Sequence, residues 1–338
     1  MKPVICFYKN QQAIYSDDYI LKTSELNIFE FLADIEWKFS SEMKIVQIDF
    51  EATSASVFIL NTYQILPLAE IQCSDKINLN FQPAVSKKIF AEKVSRIKKY
   101  ISEGRIYQVN LTSRFRSSSE EDSLVLFKKY FSIFKSEYFA FLPLEKFEIL
   151  CYSPELFLEK INSKIRTLPI KGTLTSGLDD LMTSEKEKAE LSMIVDLLRN
   201  DLNSVCEVPV TVKRHRDILD LGYTQHTYSE IIGHTQKTFS EILISVFPGG
   251  SVSGCPKIES LKVISELEDC PRGFYTGSIG WWQNDDFKLN IAIRSFKKEN
   301  LNLTYYAGCG IVYDSDPEIE WQEFLTKAGK LNIQSANE

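Results

Sequence analysis

Short apolar runs broken by polar turns fill the first 80 or so residues, the pattern of half-buried strands, and Ile45–Phe50 reads as a buried one. From Ala84 to Glu103 the spacing becomes helical and the polar face basic. Gly104 and Arg105 break it before a strand over Ile106–Phe115. Lys164–Leu168 reads as a short strand. Ser184–Leu202 and Pro256–Leu267 carry helical spacing. Tyr275–Tyr306 predicts three strands in an antiparallel meander, with turns near Asn284–Asp286 and Lys298–Asn300. Asp316–Leu331 predicts a last helix, with Asp316 as N-cap and Pro317 at the first helical position. Strand runs interspersed with separate helices, without a regular βαβ series, predict an α+β fold. No repeat, low-complexity segment or linker interrupts it.

Composition narrows the class. The chain has 338 residues, 44% of them hydrophobic, enough for a sizeable core. A net charge of −7 without a sustained Lys/Arg cluster argues against nucleic acid as the main ligand. It leaves an anionic small molecule open, because a site can be basic within an acidic protein. The 7 cysteines include no CxxC pair and no metal-ligand spacing, as expected of reduced thiols in the cytosol. Lys9–Gln12 interrupts the apolar N-terminal run, so it is not a signal peptide. No apolar stretch is long enough to span a bilayer. The expectation is a cytoplasmic protein without a membrane partner.

Candidate chemistry centres on Lys171 in Pro169-Ile170-Lys171-Gly172-Thr173, where the preceding strand is expected to end. A lysine there is either a solvated surface group or, if partly desolvated with a lowered pKa, a nucleophile. Glu187 and Glu190 share one face of the helix from Ser184, in line with Met193, Ile194 and Leu197. Glu187 fits a capping box with Ser184, and Glu190 fits a structural ion pair. Glu320, Glu323 and Lys327 form a similar stripe on the last helix, beside Phe324 and Leu331. Either stripe can be a solvated face. Facing each other across a cleft, the two would supply oxygen ligands for a hard cation such as Mg²⁺. No His/Cys cluster suits a softer metal. Pro248–Lys257 is either an ordinary glycine-rich helix entry or an anion receptor, and it is not a P-loop. Gly308 and Gly310, flanking Cys309, could turn backbone N–H groups towards a ligand. Arg294, in a strand over Phe287–Phe296, is either an edge charge or a bidentate carboxylate receptor. His226 reads as a satisfied, partly buried histidine.

The ordered segments Tyr107–Leu111, Ser153–Phe157, Pro169–Thr173, Ala189–Asp201, Gly249–Lys257, Arg272–Gly280 and Ala307–Lys327 resemble the chorismate-utilising enzymes. These are the anthranilate, aminodeoxychorismate, isochorismate and salicylate synthases. The resemblance covers roughly residues 84 to 335. It implies a single α+β domain over 1–338, with two antiparallel sheets in a sandwich and helices outside. Residues 1–80 would be a shortened part contributing strands, and 81–335 the catalytic core. Lys171 resembles the mark of the branch that makes 4-amino-4-deoxychorismate, a precursor of p-aminobenzoate and folate; anthranilate synthases usually have alanine there. The branch's lysine is held to attack C2 of chorismate as the C4 hydroxyl departs, after which ammonia attacks C4. Gln108 stands where the water-using synthases have a lysine.

Other roles are implied by position. Glu155 resembles the general acid, and His226 the histidine near C4. Glu190 and Glu323 resemble direct Mg²⁺ ligands, with Glu187 and Glu320 holding coordinated water. Gly172, Thr173, Tyr275, Arg294, Gly308 and Lys327 resemble contacts to the substrate's carboxylates. Ser251 fills a position that often holds threonine, and Gly310 belongs to the same glycine pair as Gly308. Cys255 replaces the usual alanine, and no tryptophan-pocket motif is found. Since neither a glutaminase nor a lyase segment is seen, ammonia is expected from a glutamine amidotransferase subunit. The alternatives are anthranilate synthase component I and a catalytically silent chorismate-binding scaffold.

Overall fold

The computed structural model describes residues 2–73, 77, 79–174, 185–220, 225–329 and 331–333, apart from the side chains of 172–174, 185–189, 219, 220 and 225. The chain opens with β1 (Val4–Phe7), β2 (Gln12–Ser24), α1 (Ile28–Lys38), β3 (Lys44–Ile48), β4 (Ala55–Pro67) and β5 (Asn80–Pro83). Next come α2 (Lys87–Ser102), β6 (Gln108–Ser118), α3 (Ser123–Phe134), β7 (Tyr138–Pro143), β8 (Glu148–Ser153), β9 (Leu156–Ile161), β10 (Lys164–Leu168) and β11 (Ile170–Leu174). The middle holds α4 (Glu185–Asn203), β12 (Thr211–Asp220), β13 (Gln225–His234), α5 (Phe239–Val246), the short turn α6 (Gly250–Ser253), β14 (Gly254–Cys255) and α7 (Lys257–Leu267). The last part is β15 (Ser278–Gln283), β16 (Asp286–Ile291), β17 (Ser295–Glu299), β18 (Asn302–Ile311), α8 (Pro317–Lys327) and β19 (Asn332–Ile333).

The α+β expectation holds. The strands pair into one network, antiparallel except for β5 with β19, and the long ribbon of β2 and β4 divides it. β1 pairs with the start of β2, and from it run β7, β8, β17, β18 and β6. β3 pairs with the start of β4, which lies at the other end of the ribbon, and from it run β15, β16, β9, β10 and β13. The register of the ribbon shifts between Tyr15 and Asp18, where Ser16 Oγ donates to Thr62 O at 2.6 Å. A bulge of this kind bends a strand and lets its two halves serve different sheets. The two sheets meet inside the molecule. Asn290 Nδ2 of β16 reaches Cys151 Sγ of β8 at 3.5 Å, and the Tyr8 and Trp281 rings stand 5.4 Å apart. The N-terminal strands are therefore part of both layers.

Local chemistry explains the helices. Ser86 accepts from Ile89 N at the start of α2, whose Phe90, Val94 and Ile97 are buried at helical spacing. Asp316 accepts from Glu318 N and Ile319 N, and Pro317 opens α8 as expected. That helix ends at Lys327, before Leu331. Its fully buried Phe324 stacks on Phe115 and Phe90, with ring centroids 4.5 and 5.3 Å away. In α4, Leu191, Ile194, Val195, Leu198 and Leu202 are buried, so Met193 and Leu197 lie at the rim of the apolar stripe.

The three-strand meander is corrected. Tyr275–Tyr306 contains two hairpins, β15 with β16 and β17 with β18, and the turns at Asn284 and Asn300 are where the pattern placed them. β16 pairs onward with β9 and β17 with β8, so Ala292–Arg294 cross between the sheets. Leu289–Phe296 contains no glycine or proline to mark the crossing, so alternation alone could not reveal it. None of the described helices is long and apolar enough to cross a membrane.

Candidate active site

Gly310 marks the centre of a cluster of buried polar groups. A Cβ at this position would lie 2.9 Å from Gln108 Nε2, 3.4 Å from Glu190 Oε2 and 3.6 Å from Lys171 Nζ. The glycine gives these side chains room that any larger residue would take. Gly308 and Gly310 lie within β18, opposite Thr112 and Asn110 of β6, and not between two separate strands. Gln108 begins β6 and is 1% exposed, and its Oε1 has no hydrogen-bond partner among the described residues.

Lys171 lies inside β11, not at a strand end. It pairs with Thr227, and the register shifts between it and Leu174. Pro169 divides β10 from β11 along one edge of β13 because it cannot donate to the ladder. The Lys171 ammonium lies 3.8 Å from Glu190 Oε2, with both side chains largely buried. Thr227 Oγ1 donates to Lys171 O at 2.9 Å. Gly172 and Thr173 follow in β11, and their side chains lie outside the described residues.

Glu155 is 4% exposed. Burial pushes its carboxyl up from 4.5 to about 7, against the opposing pull of the Ser251 hydroxyl, the Lys171 charge and the Ile170 N–H. It is therefore poised to give or take a proton near neutrality. Ser251, 6% exposed, comes from the turn α6, whose backbone O accepts from Asn110 Nδ2 at 2.8 Å. His226 is 2% exposed, so it is more buried than expected, and its Nε2 accepts from Arg294 Nη2 at 3.5 Å. Arg294 is not in a strand. It sits at the sheet crossing with φ 51°, a conformation unusual for a side-chain-bearing residue. Tyr275, 4% exposed, stacks on Tyr306 at 5.0 Å, and burial raises both phenols.

The expected carboxylates form two groups. Glu190 is 7% exposed and joins Lys171 at Gly310. Glu320 is fully buried; its Oε1 accepts from Ser315 Oγ at 2.6 Å. Glu320, Glu323 and Cys309 bring ligand atoms within 4.8 Å of one another. Nothing in the spacing of Cys309 signals its place beside these carboxylates. Lys327 Nζ pairs with Glu323 at 2.7 Å and donates to Gly308 O at 2.8 Å. The Glu187 side chain and Ser184 lie outside the described residues, so their capping box does too. The carboxylates offer the oxygen ligands a hard divalent cation takes, Glu190 of α4 beside Gly310 and Glu320 and Glu323 of α8 beside Cys309. Lys257 is held by Asp201 Oδ2 at 2.6 Å and Val246 O at 3.0 Å, which makes it a brace between α4 and the glycine turn. Sequence spacing gives no hint of that brace.

The family description "chorismate binding enzyme" matches residues 33–332. Aminodeoxychorismate synthase component 1 of Bacillus subtilis is 36% identical over 252 residues, 71% of this chain and 54% of its own length. Anthranilate synthase component 1 of Aquifex aeolicus is 32% identical over 265 residues, 75% and 54% of the two chains. The chain thus spans about half the length of these relatives. Anthranilate synthase component I of Streptococcus pneumoniae superposes with a TM-score of 0.78 at 24% identity, covering 97% of this chain and 90% of that one. The menaquinone-specific isochorismate synthase of Escherichia coli gives 0.78 at 19%, covering 97% and 87%. With a family match along most of its length and relatives above 30% identity, the chain belongs to the chorismate binding enzyme family.

Proposed function

We propose that this chain is an aminodeoxychorismate synthase component I, converting chorismate and ammonia into 4-amino-4-deoxychorismate and water. The observation that carries the reading is Lys171: an ammonium largely out of water, 3.8 Å from Glu190 Oε2 and near enough for its charge to act on the Glu155 carboxyl. A nucleophile and a proton donor in one site are what this displacement needs. As a free amine, Lys171 Nζ bonds to C2 of chorismate while both ring double bonds shift, C1=C2 to C1=C6 and C5=C6 to C4=C5, and the C4–O bond breaks. Glu155 gives its proton to that oxygen, which leaves as water. The nitrogen at C2 returns a proton to Glu155. Ammonia then bonds to C4, both double bonds shift back, and the lysine leaves as the amine by taking the proton from Glu155, which regains one from the ammonium formed at C4.

Arg294, Lys327, Tyr275 and the N–H groups of Gly172, Thr173, Gly308 and Gly310 would receive the two carboxylates of chorismate. His226, held by Arg294, would lie over C4. Ser251 would keep Glu155 oriented. Mg²⁺ would be held by Glu190 and Glu323, with Glu187 and Glu320 outside them; when bound it supplies positive charge to a substrate carboxylate. Ammonia would come from a glutamine amidotransferase subunit, as the "component 1" names of the relatives suggest; the reaction would run in the cytoplasm. The second reading is anthranilate synthase component I, favoured by a relative at 32% identity. Incubating the purified chain with chorismate, Mg²⁺ and ammonium, then identifying the product by chromatography and mass, separates them. Aminodeoxychorismate supports the first, fluorescent anthranilate the second, and unchanged chorismate leaves only a binding scaffold.

A further inference from the structure

We infer that Arg272, locked to Glu268, is a positioning residue that sets the backbone around the reacting groups. This rests on the reading of Glu155 as the acid. Arg272 is 3% exposed, and all five of its N–H donors have acceptors. Nε and Nη2 grip the Glu268 carboxylate at 2.9 and 2.7 Å. Nη1 donates to Val252 O at 2.8 Å and Thr276 Oγ1 at 3.2 Å; Nη2 also donates to Asn110 O at 2.8 Å. Each acceptor other than Glu268 lies next to or opposite a site residue. Val252 follows Ser251, Thr276 follows Tyr275, and Asn110 stands two positions beyond Gln108 and opposite Gly310.

The partners extend the clamp. Glu268 Oε1 also accepts from Thr112 N at 2.9 Å, and Asn110 Nδ2 donates to Ser251 O at 2.8 Å. Thr276 Oγ1 donates to Tyr275 O at 2.6 Å, at a residue with φ 59°. One planar fork thus joins β6, the glycine turn and the loop before β15. The N-terminal region aims it. Phe50 lies under the guanidinium at 4.4 Å, and Glu51 accepts from Arg272 N at 2.7 Å and Gly273 N at 3.1 Å. This gives the N-terminal region a connection to the site. Buried ion pairs are weak sources of stability, whereas a fork with five fixed directions defines geometry. The route to the chemistry is short: Arg272 holds Val252 and Asn110, these hold Ser251, and the Ser251 hydroxyl bonds Glu155 beside Lys171 and Ile170 N.

The test is Arg272→Lys, which keeps the charge but replaces the fork with a point-like ammonium. Titration of Glu155 is followed by infrared difference spectroscopy, with Glu155→Gln identifying its band; no substrate is needed. Ser251→Ala should raise the midpoint by removing a hydrogen bond to the carboxylate. Arg272→Lys should raise it too, and the double variant should rise no further than Ser251→Ala. Turnover in Arg272→Lys should fall on the order of 10- to 100-fold, the scale of a small misplacement. If Arg272→Lys does not fold, Glu268→Gln serves, with a smaller rise expected. An unmoved midpoint in the folded variant, or additive rises in the double, overturns the proposal. If the wild-type chain leaves chorismate and ammonium untouched, the functional reading fails while the titration still decides this one.

Discussion

Replacing Glu155 with glutamine should remove the proton donor and, at the same time, stabilise the protein in a pH-dependent way. Folded Glu155 keeps its proton to about 7, against 4.5 for an exposed glutamate, because burial disfavours its charge. Between those values the native state binds more protons than the unfolded state, so stability falls as pH rises. A rise from 4.5 to about 7 corresponds, at about 1.4 kcal/mol per pH unit, to about 3 kcal/mol lost by pH 8. Glutamine carries no charge and escapes this loss. With an unfolding entropy of about 2.1 cal/mol/K per residue over 338 residues, 3 kcal/mol is worth about 4 °C. The melting temperature of Glu155→Gln minus that of the wild type should therefore be small at pH 5 and grow by about 4 °C by pH 8. Aminodeoxychorismate formation should drop by about 10²- to 10⁴-fold. Calorimetric scans across pH measure the first and product chromatography the second. A melting difference that stays flat from pH 5 to 8 would refute the claim that Glu155 is held protonated by burial.

Three further outcomes are expected. Lys171→Ala should lower aminodeoxychorismate formation at least about 10²-fold, with residual product shifting towards anthranilate; steady-state rates and product ratios check it. Glu190→Gln or Glu323→Gln should weaken Mg²⁺ and chorismate binding together. Unchanged chorismate affinity at saturating Mg²⁺ in calorimetry would refute a shared metal. Gln108→Lys should modestly raise hydroxylated products in ammonia-free reactions, because a lysine of lowered pKa can take a proton from water and an amide cannot. Chromatography showing abundant isochorismate from the wild type would move the chain to the water-using branch.

Much of this site is legible in the sequence because its residues sit in short ordered segments. Gln108, Lys171 and Glu190 come from separate parts of the chain and meet around Gly310, and the Lys171 charge acts on Glu155. The helix of Glu190 declares itself through its apolar stripe, and that of Glu320 through Asp316 and Pro317. What stayed hidden depends on contacts between distant strands. The crossing at Arg294 uses a backbone twist that alternation does not encode, so four strands read as three. Lys171 reads as lying at a strand end because the strand-like run Lys164–Leu168 stops before it, yet pairing resumes past Pro169 on the same edge of β13. Arg272 opens a recognisable segment, but only packing brings Val252, Asn110 and Glu51 to it. Cys309 joins Glu320 and Glu323 for the same reason.

The most direct measurement is peptide mass spectrometry of the chain after brief exposure to chorismate and Mg²⁺ without ammonia. The expected result is a covalent adduct on Lys171 equal to chorismate less one water, absent from Lys171→Ala and discharged as aminodeoxychorismate when ammonium is added. An unmodified Lys171 together with a wild-type rate in Lys171→Ala would contradict the lysine's place in the mechanism.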